Sequence, residues 1–206
     1  MCYSATASFS ASAVLLVTGS ILVCRIKEKK YLFLALIPVF FAVQQAMEGC
    51  IWLKLEPSQW FKNIYLLFAY TFWPIWIPLS LLMVEKNKQR RKIQLALLWI
   101  GIIMSTYLLF TISDTHPYIT CHSIQYENKK VSAQFGNFGI LLYFAVTIGS
   151  VFTSSLSFSK ILALFFSVFA IFIFVFDRFY FASLWCFWSA VISILLCFYL
   201  PTRKKC

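Results

Sequence analysis

Glu48 is the acid most open to chemistry, because it is the only acid well inside an apolar span, about six residues from the end of the second one. A carboxyl placed inside a lipid-spanning helix costs several kcal/mol, on the order of 3 or more, unless it has a partner or a job. Gln44, Gln45, Glu48 and Trp52 follow at helical spacing and share one face. Such a face can bind a ligand or a proton. It can equally brace two helices through a hydrogen-bonded acid. Cys2 is the second candidate. If Met1 is removed, its amine and thiol become neighbours, a chelating or nucleophilic pair. The alternative is an inert or disulfide-bonded thiol. With Glu48, Cys2 forms the candidate catalytic set.

Further ligand types lie in the segment 113–135, which reads Asp114, His116, Cys121, His122, Glu127. His116 and His122, both histidines of the chain, are legitimate ligands for zinc or copper. Their spacing matches no metal signature, and an ordinary exposed loop reads the same way. Candidate binding residues are Ser4, Gln45, Tyr70, Trp73, Asp177 and Trp185. Ser4, Ser8 and Ser12 recur every four residues and form a small polar stripe, suited above all to close helix contact at Ser8 and Ser12. Asp177 can pair with Arg178 or with a ligand. Trp185 and Trp188 sit deeper than an interfacial belt, as a pocket wall would.

The elements that must position these residues follow from composition. The chain has 206 residues, 61% hydrophobic and only 12% charged, against about 25% charged in an average globular chain. The charges are clustered, and apolar runs of about 20 residues lie between them, the length that crosses a ~30 Å hydrocarbon core. Backbone groups in lipid need internal partners, so each run is expected to be a helix. The spans read 5–24, 31–53, 62–84, 93–112, 136–155, 159–176 and 179–200. This predicts an all-α polytopic membrane protein, one seven-helix domain over 1–206, with 113–135 as an outer loop. Met1 to Ser12 has no Lys or Arg, so the first span is expected to stay as a helix and not act as a signal peptide. Pro74 and Pro78 should kink the third span, opening a cavity or simply shaping the bundle.

Orientation comes from the bases. Of 18 Lys and Arg, all but Lys54, Lys62, Lys129, Lys130 and Arg178 fall on one side if the N-terminus is outside and the C-terminus inside. That is the positive-inside pattern, expected of a multi-pass cell (inner) membrane protein. The net charge of +11 is then a topology signal, and the Lys86–Lys92 run can touch anionic lipid heads. Nucleic acid is not an expected partner. The lipid bilayer is, together with a small molecule or a lipid. Cys2, Cys50, Cys121 and Cys186 fall toward the outer side, where a bond such as Cys2 to Cys121 is one option.

The opening Met-Cys-Tyr-Ser-Ala-Thr-Ala-Ser-Phe resembles the start of an uncharacterised bacterial family of small multi-span membrane proteins. Gln44 to Trp52, Trp73-Pro74 and Ser183 to Phe187 are similar to its other segments. The resemblance implies no reaction, substrate or assigned site, but its motif segments include Cys2, Ser4, Glu48 and Trp185. Other heptahelical classes fit poorly. The last span has no lysine for retinal, and two histidines fall short of the three that hold zinc in ceramidase-like membrane hydrolases. The halves lack the matching prolines of transporters built from two triple-helix repeats. No P-loop, dinucleotide fingerprint or nucleophile elbow is present. The sequence therefore leaves three readings: a membrane-embedded, metal-assisted enzyme around Glu48, a non-enzymatic binder, sensor or transporter of a small molecule, or a structural partner in a larger complex with its aromatics facing other helices.

Overall fold

In the computed structural model, residues 4–53, 59–120, 123–127, 136–176 and 181–201 are described. Helix α1 is Ala5–Arg25, and the Ser4 hydroxyl caps it by accepting from the Ala7 N–H at 3.2 Å. Next come α2, Leu32–Ala35, and α3, Ile37–Trp52. They form one rod that breaks at Leu36, where Pro38 in the first turn of α3 supplies no N–H. A third rod runs through α4, Gln59–Leu66, a π-helical turn, Leu67–Phe72, and α5, Trp73–Val84. Helix α6, Lys88–Leu109, begins before the apolar run because Asn87 caps it, accepting from the Gln89 and Arg90 N–H groups. The remaining helices are α7, Gly136–Thr153, α8, Ser159–Phe176, α9, Phe181–Ser193, and α10, Leu196–Tyr199.

Four helices are long and apolar enough to cross a membrane: Ala5–Arg25, Lys29–Trp52, Trp60–Val84 and Lys88–Leu109. Three shorter apolar helices cover the last three expected spans. Exposed apolar stripes are plain on the surface. On α6, Trp99 and Ile103 are 59% and 70% exposed, and Phe110 just past its end is 78% exposed. Leu164, Val168, Ile171 and Val175 make a second exposed row on α8, at spacings of three and four. Apolar surface on this scale is what a water-soluble chain avoids.

One element departs from the all-α expectation. Within 113–135, β1, His116–Thr120, pairs antiparallel with β2, Ser123–Glu127, in the register His116 to Glu127 and Thr120 to Ser123. Tyr, Ile and Thr favour this extended form. The β2 strand packs on α9, with Ile124 fully buried.

Packing explains the small residues. Helices α1 and α3 run antiparallel, and Ser12 Oγ donates to the Ala42 carbonyl at 2.7 Å. A methyl group on Gly49 would lie 2.8 Å from the Phe9 ring. The serine stripe is thus a close helix contact at Ser12. Pro78 has no N–H to offer the Pro74 carbonyl four residues back, and α6 closes over that carbonyl. Ser105 Oγ donates to the Thr71 carbonyl at 2.8 Å, and a Cβ on Gly101 would overlap the Pro74 oxygen. At the opposite end of the bundle, Glu85 ties two turns together. It accepts from the Asn87 N–H at 2.9 Å and the Ser155 N–H at 2.8 Å.

Candidate functional site

Helix α3 positions the cluster because it is central: Gln44, Gln45 and Glu48 are all 0% exposed. They lie near its C-terminal end, on the side of the bundle that carries the hairpin. Gln45 Nε2 donates to Glu48 Oε2 at 3.1 Å. Gln44 Oε1 accepts from Trp73 Nε1 at 2.7 Å. Trp73 is itself fixed by stacking on Phe41, with ring centroids 3.8 Å apart. Helix α9 supplies a third wall. Its Cys186 thiol sits beside the Gln44 and Tyr65 side chains and within electrostatic range of Glu48. Tyr70 and Tyr143 lie within range of Cys186, and Tyr143 and Trp185 are neighbours.

The cluster is incompletely matched. Gln44 Nε2, Gln45 Oε1 and Trp52 Nε1 are buried and make no hydrogen bond of ordinary geometry among the described residues. On α1, Ser8 Oγ has no such partner either, at a level that the Ser12–Ala42 and Phe9–Gly49 contacts set opposite this stretch of α3. An enclosed polar atom without a partner costs about 1–3 kcal/mol. Ordered water or a bound molecule is the usual remedy. The unmatched set offers donors, the Gln44 amide and the Trp52 indole, and an acceptor, the Gln45 carbonyl. A molecule able to accept and donate at adjacent positions satisfies both kinds.

Of the residues read from the sequence, Gln45, Glu48, Tyr70, Trp73 and Trp185 are brought to this region. Ser4 serves as a helix cap. His116 lies on β1, the outer strand of the hairpin that packs on α9 through β2. Cys2, His122, Asp177 and Arg178 lie outside the described residues, as does any bond between Cys2 and Cys121. Among the described residues, no three His, Cys, Asp or Glu side chains gather as a metal-binding group. Sequence reading missed Tyr65, Tyr143 and Cys186. Cys186 carried a signal, being next to Trp185 in a segment already singled out. Tyr65 and Tyr143 carried none, since isolated tyrosines in apolar runs are common.

Long apolar helices with exposed apolar stripes, packed around an enclosed polar cluster, define a predominantly helical protein with the character of a membrane protein. The chain belongs to a family of unknown function, DUF6629, whose family model matches residues 1–206. No curated protein and no solved structure matches it.

Proposed function

We propose that this chain is a seven-span protein of the inner membrane, N-terminus outside and C-terminus inside, that binds the polar part of a small molecule at its outer-leaflet cluster around Glu48. One observation carries the reading: Gln44 and Gln45 are fully enclosed, yet each keeps a polar atom that makes no hydrogen bond of ordinary geometry among the described residues, the Gln44 side chain having the weakly bonding Cys186 thiol beside it. A brace between helices would have matched those atoms, because a half-satisfied network is worse than an apolar core. Glu48 fixes Gln45 and Trp73 fixes Gln44, which leaves the Gln44 amide as a donor and the Gln45 carbonyl as an acceptor. Tyr70, Trp73 and Trp185 supply the aromatic surround of a ligand pocket, apolar with a few placed polar groups.

Thermal unfolding tests this directly. Lipid and metabolite extract from the expression host should raise the unfolding temperature of the purified protein by several degrees, as a ligand that favours the folded state does. Gln44→Leu and Glu48→Gln should abolish the rise. An equal rise in all three proteins contradicts the reading.

A metal-assisted enzyme is the second reading. It is favoured by the hairpin, which brings the strand carrying His116 to the end of the bundle where Glu48 lies. Cys2 and His122 would complete a zinc or copper site there, and the metal would make hydroxide available near neutral pH.

A further inference from the structure

At the end of the bundle away from Glu48, two turns meet: 85–87 between α5 and α6, and 154–158 between α7 and α8. An open cleft of about 340 Å³ lies between them. Its walls are mostly polar, made by Asn87, Arg90, Ser154, Ser155, Ser157 and Lys160.

The cleft is held in shape from behind. Glu85 is 4% exposed and accepts from the Asn87 N–H at 2.9 Å and the Ser155 N–H at 2.8 Å, so one buried carboxylate fixes both turns. Arg90 crosses the gap, its Nη1 donating to the Ser154 carbonyl at 2.9 Å. One helical turn further in, Gln94 Nε2 donates to the Ser150 carbonyl at 2.7 Å and to Thr153 Oγ1 at 3.0 Å. Groups already fixed in this way lose little freedom when a ligand arrives.

Charge decides what fits. Arg90 is half-buried and Lys160 exposed, and among the described residues neither forms an ion pair. Glu85 lies within electrostatic range of Arg90, but its oxygens serve the two backbone N–H groups. Two cations against one carboxylate leave one positive charge over. The guanidinium keeps N–H donors beyond the one given to Ser154, and the ammonium and the Ser157 hydroxyl add more. Charge-assisted donors of this kind match a phosphate, which offers more acceptor oxygens than a carboxylate does. Helices α6 and α8 begin at the rim, at Lys88 and Ser159, and their positive ends add to the same field. In the orientation proposed above these turns are cytoplasmic, beside the leaflet that carries anionic phospholipid.

We propose that this cleft binds a phosphate group carrying one negative charge, with Arg90, Lys160 and the Ser157 hydroxyl donating to its oxygens. The phosphodiester of an anionic lipid and free phosphate both carry that chemistry. The site is separate from the Glu48 cluster. A phosphate there bridges α6 to α8 and stabilises this end of the bundle.

The test uses the full chain, purified in mild detergent and stripped of lipid. Thermal unfolding is followed against added phosphatidylglycerol, phosphatidylcholine or inorganic phosphate. If the source is lipid, phosphatidylglycerol should raise the unfolding temperature with half-saturation at about one-tenth of the mole fraction that phosphatidylcholine needs. If the source is free phosphate, the inorganic ion alone should produce the rise. In either case Lys160→Gln and Arg90→Gln should each weaken binding about tenfold. Lys88→Gln, which alters a base outside the cleft lining, should change it about twofold at most. Gln44→Leu and Glu48→Gln should leave it unaltered. Lys160 is exposed, so its variant decides the matter even if Arg90→Gln folds poorly. No rise with any of the three ligands, or a rise that Lys160→Gln weakens no more than Lys88→Gln does, overturns the proposal.

Discussion

Glu85 shows how one acid is held by its surroundings. Burial pushes its carboxyl up, but the Asn87 N–H, the Ser155 side chain and N–H, and nearby Arg90 outweigh that and hold it below the ordinary glutamate value. A group with a lowered folded pKa stabilises the fold above its ordinary value, and that stability is lost as pH falls through the folded value. The unfolding temperature should thus be flat from pH 7 to about 5 and drop below about pH 4. Glu85→Gln should remove part of that drop and cost about 2 kcal/mol at pH 7, since hydrogen bonds to a charged acceptor are involved. Denaturant or thermal unfolding of both proteins across this range checks it. A pH profile identical in the two proteins contradicts the clamp. None of this was legible beforehand: in the sequence Glu85 is one acid among basic residues, and its partner Ser155 is 70 residues away. The face of Glu48 was legible, because helical spacing places Gln44, Gln45 and Glu48 together whatever else packs on them.

At the scale of elements, the prolines of the third rod did more than kink it. The sequence reading left open whether freed carbonyls would open a cavity or serve architecture. The structure answers for α6: Gly101 lies against the Pro74 carbonyl that Pro78 leaves without a donor, and Ser105 adds a bond to the Thr71 carbonyl beside it. Gly101 fits only because it has no Cβ. Gly101→Ala should cost about 2 kcal/mol and Gly101→Leu more, as overpacked helix contacts do. Ser105→Ala should cost about 1 kcal/mol, the loss of one interhelical hydrogen bond. Unfolding in mild detergent measures all three. A neutral Gly101→Leu would show that α6 does not close over the prolines. The hairpin was not legible, since His116 and Pro117 read as loop residues and the pairing of ten residues depends on tertiary support from α9.

At the scale of the molecule, apolar length carried most of the information. The helices fall within a few residues of the expected spans, because hydropathy is read along the chain and needs no knowledge of neighbours. The exact starts differ where a cap intervenes, as at Asn87. What the sequence could not supply was which faces meet. Thus Tyr65 and Tyr143 went unseen, Cys186 was placed by side but not joined to the cluster, and a small apolar cavity beneath Trp73 was not foreseen. Orientation is a whole-molecule property, and its test is a reporter fused after Cys206. It should be active only in the cytoplasm, and a periplasmic signal would reverse the side on which Glu48 is placed.

The central claim is that the enclosed cluster around Glu48 is a binding site. Native mass spectrometry of the protein extracted in mild detergent tests it most directly. The account predicts a bound small molecule on the unaltered chain, released by collision and absent from Gln44→Leu and Glu48→Gln purified in the same way. A bound metal ion lost in Glu48→Gln would instead favour the enzyme reading. A bare chain in all three, with the two variants markedly less stable than the original, would contradict the claim and make the cluster a brace between helices.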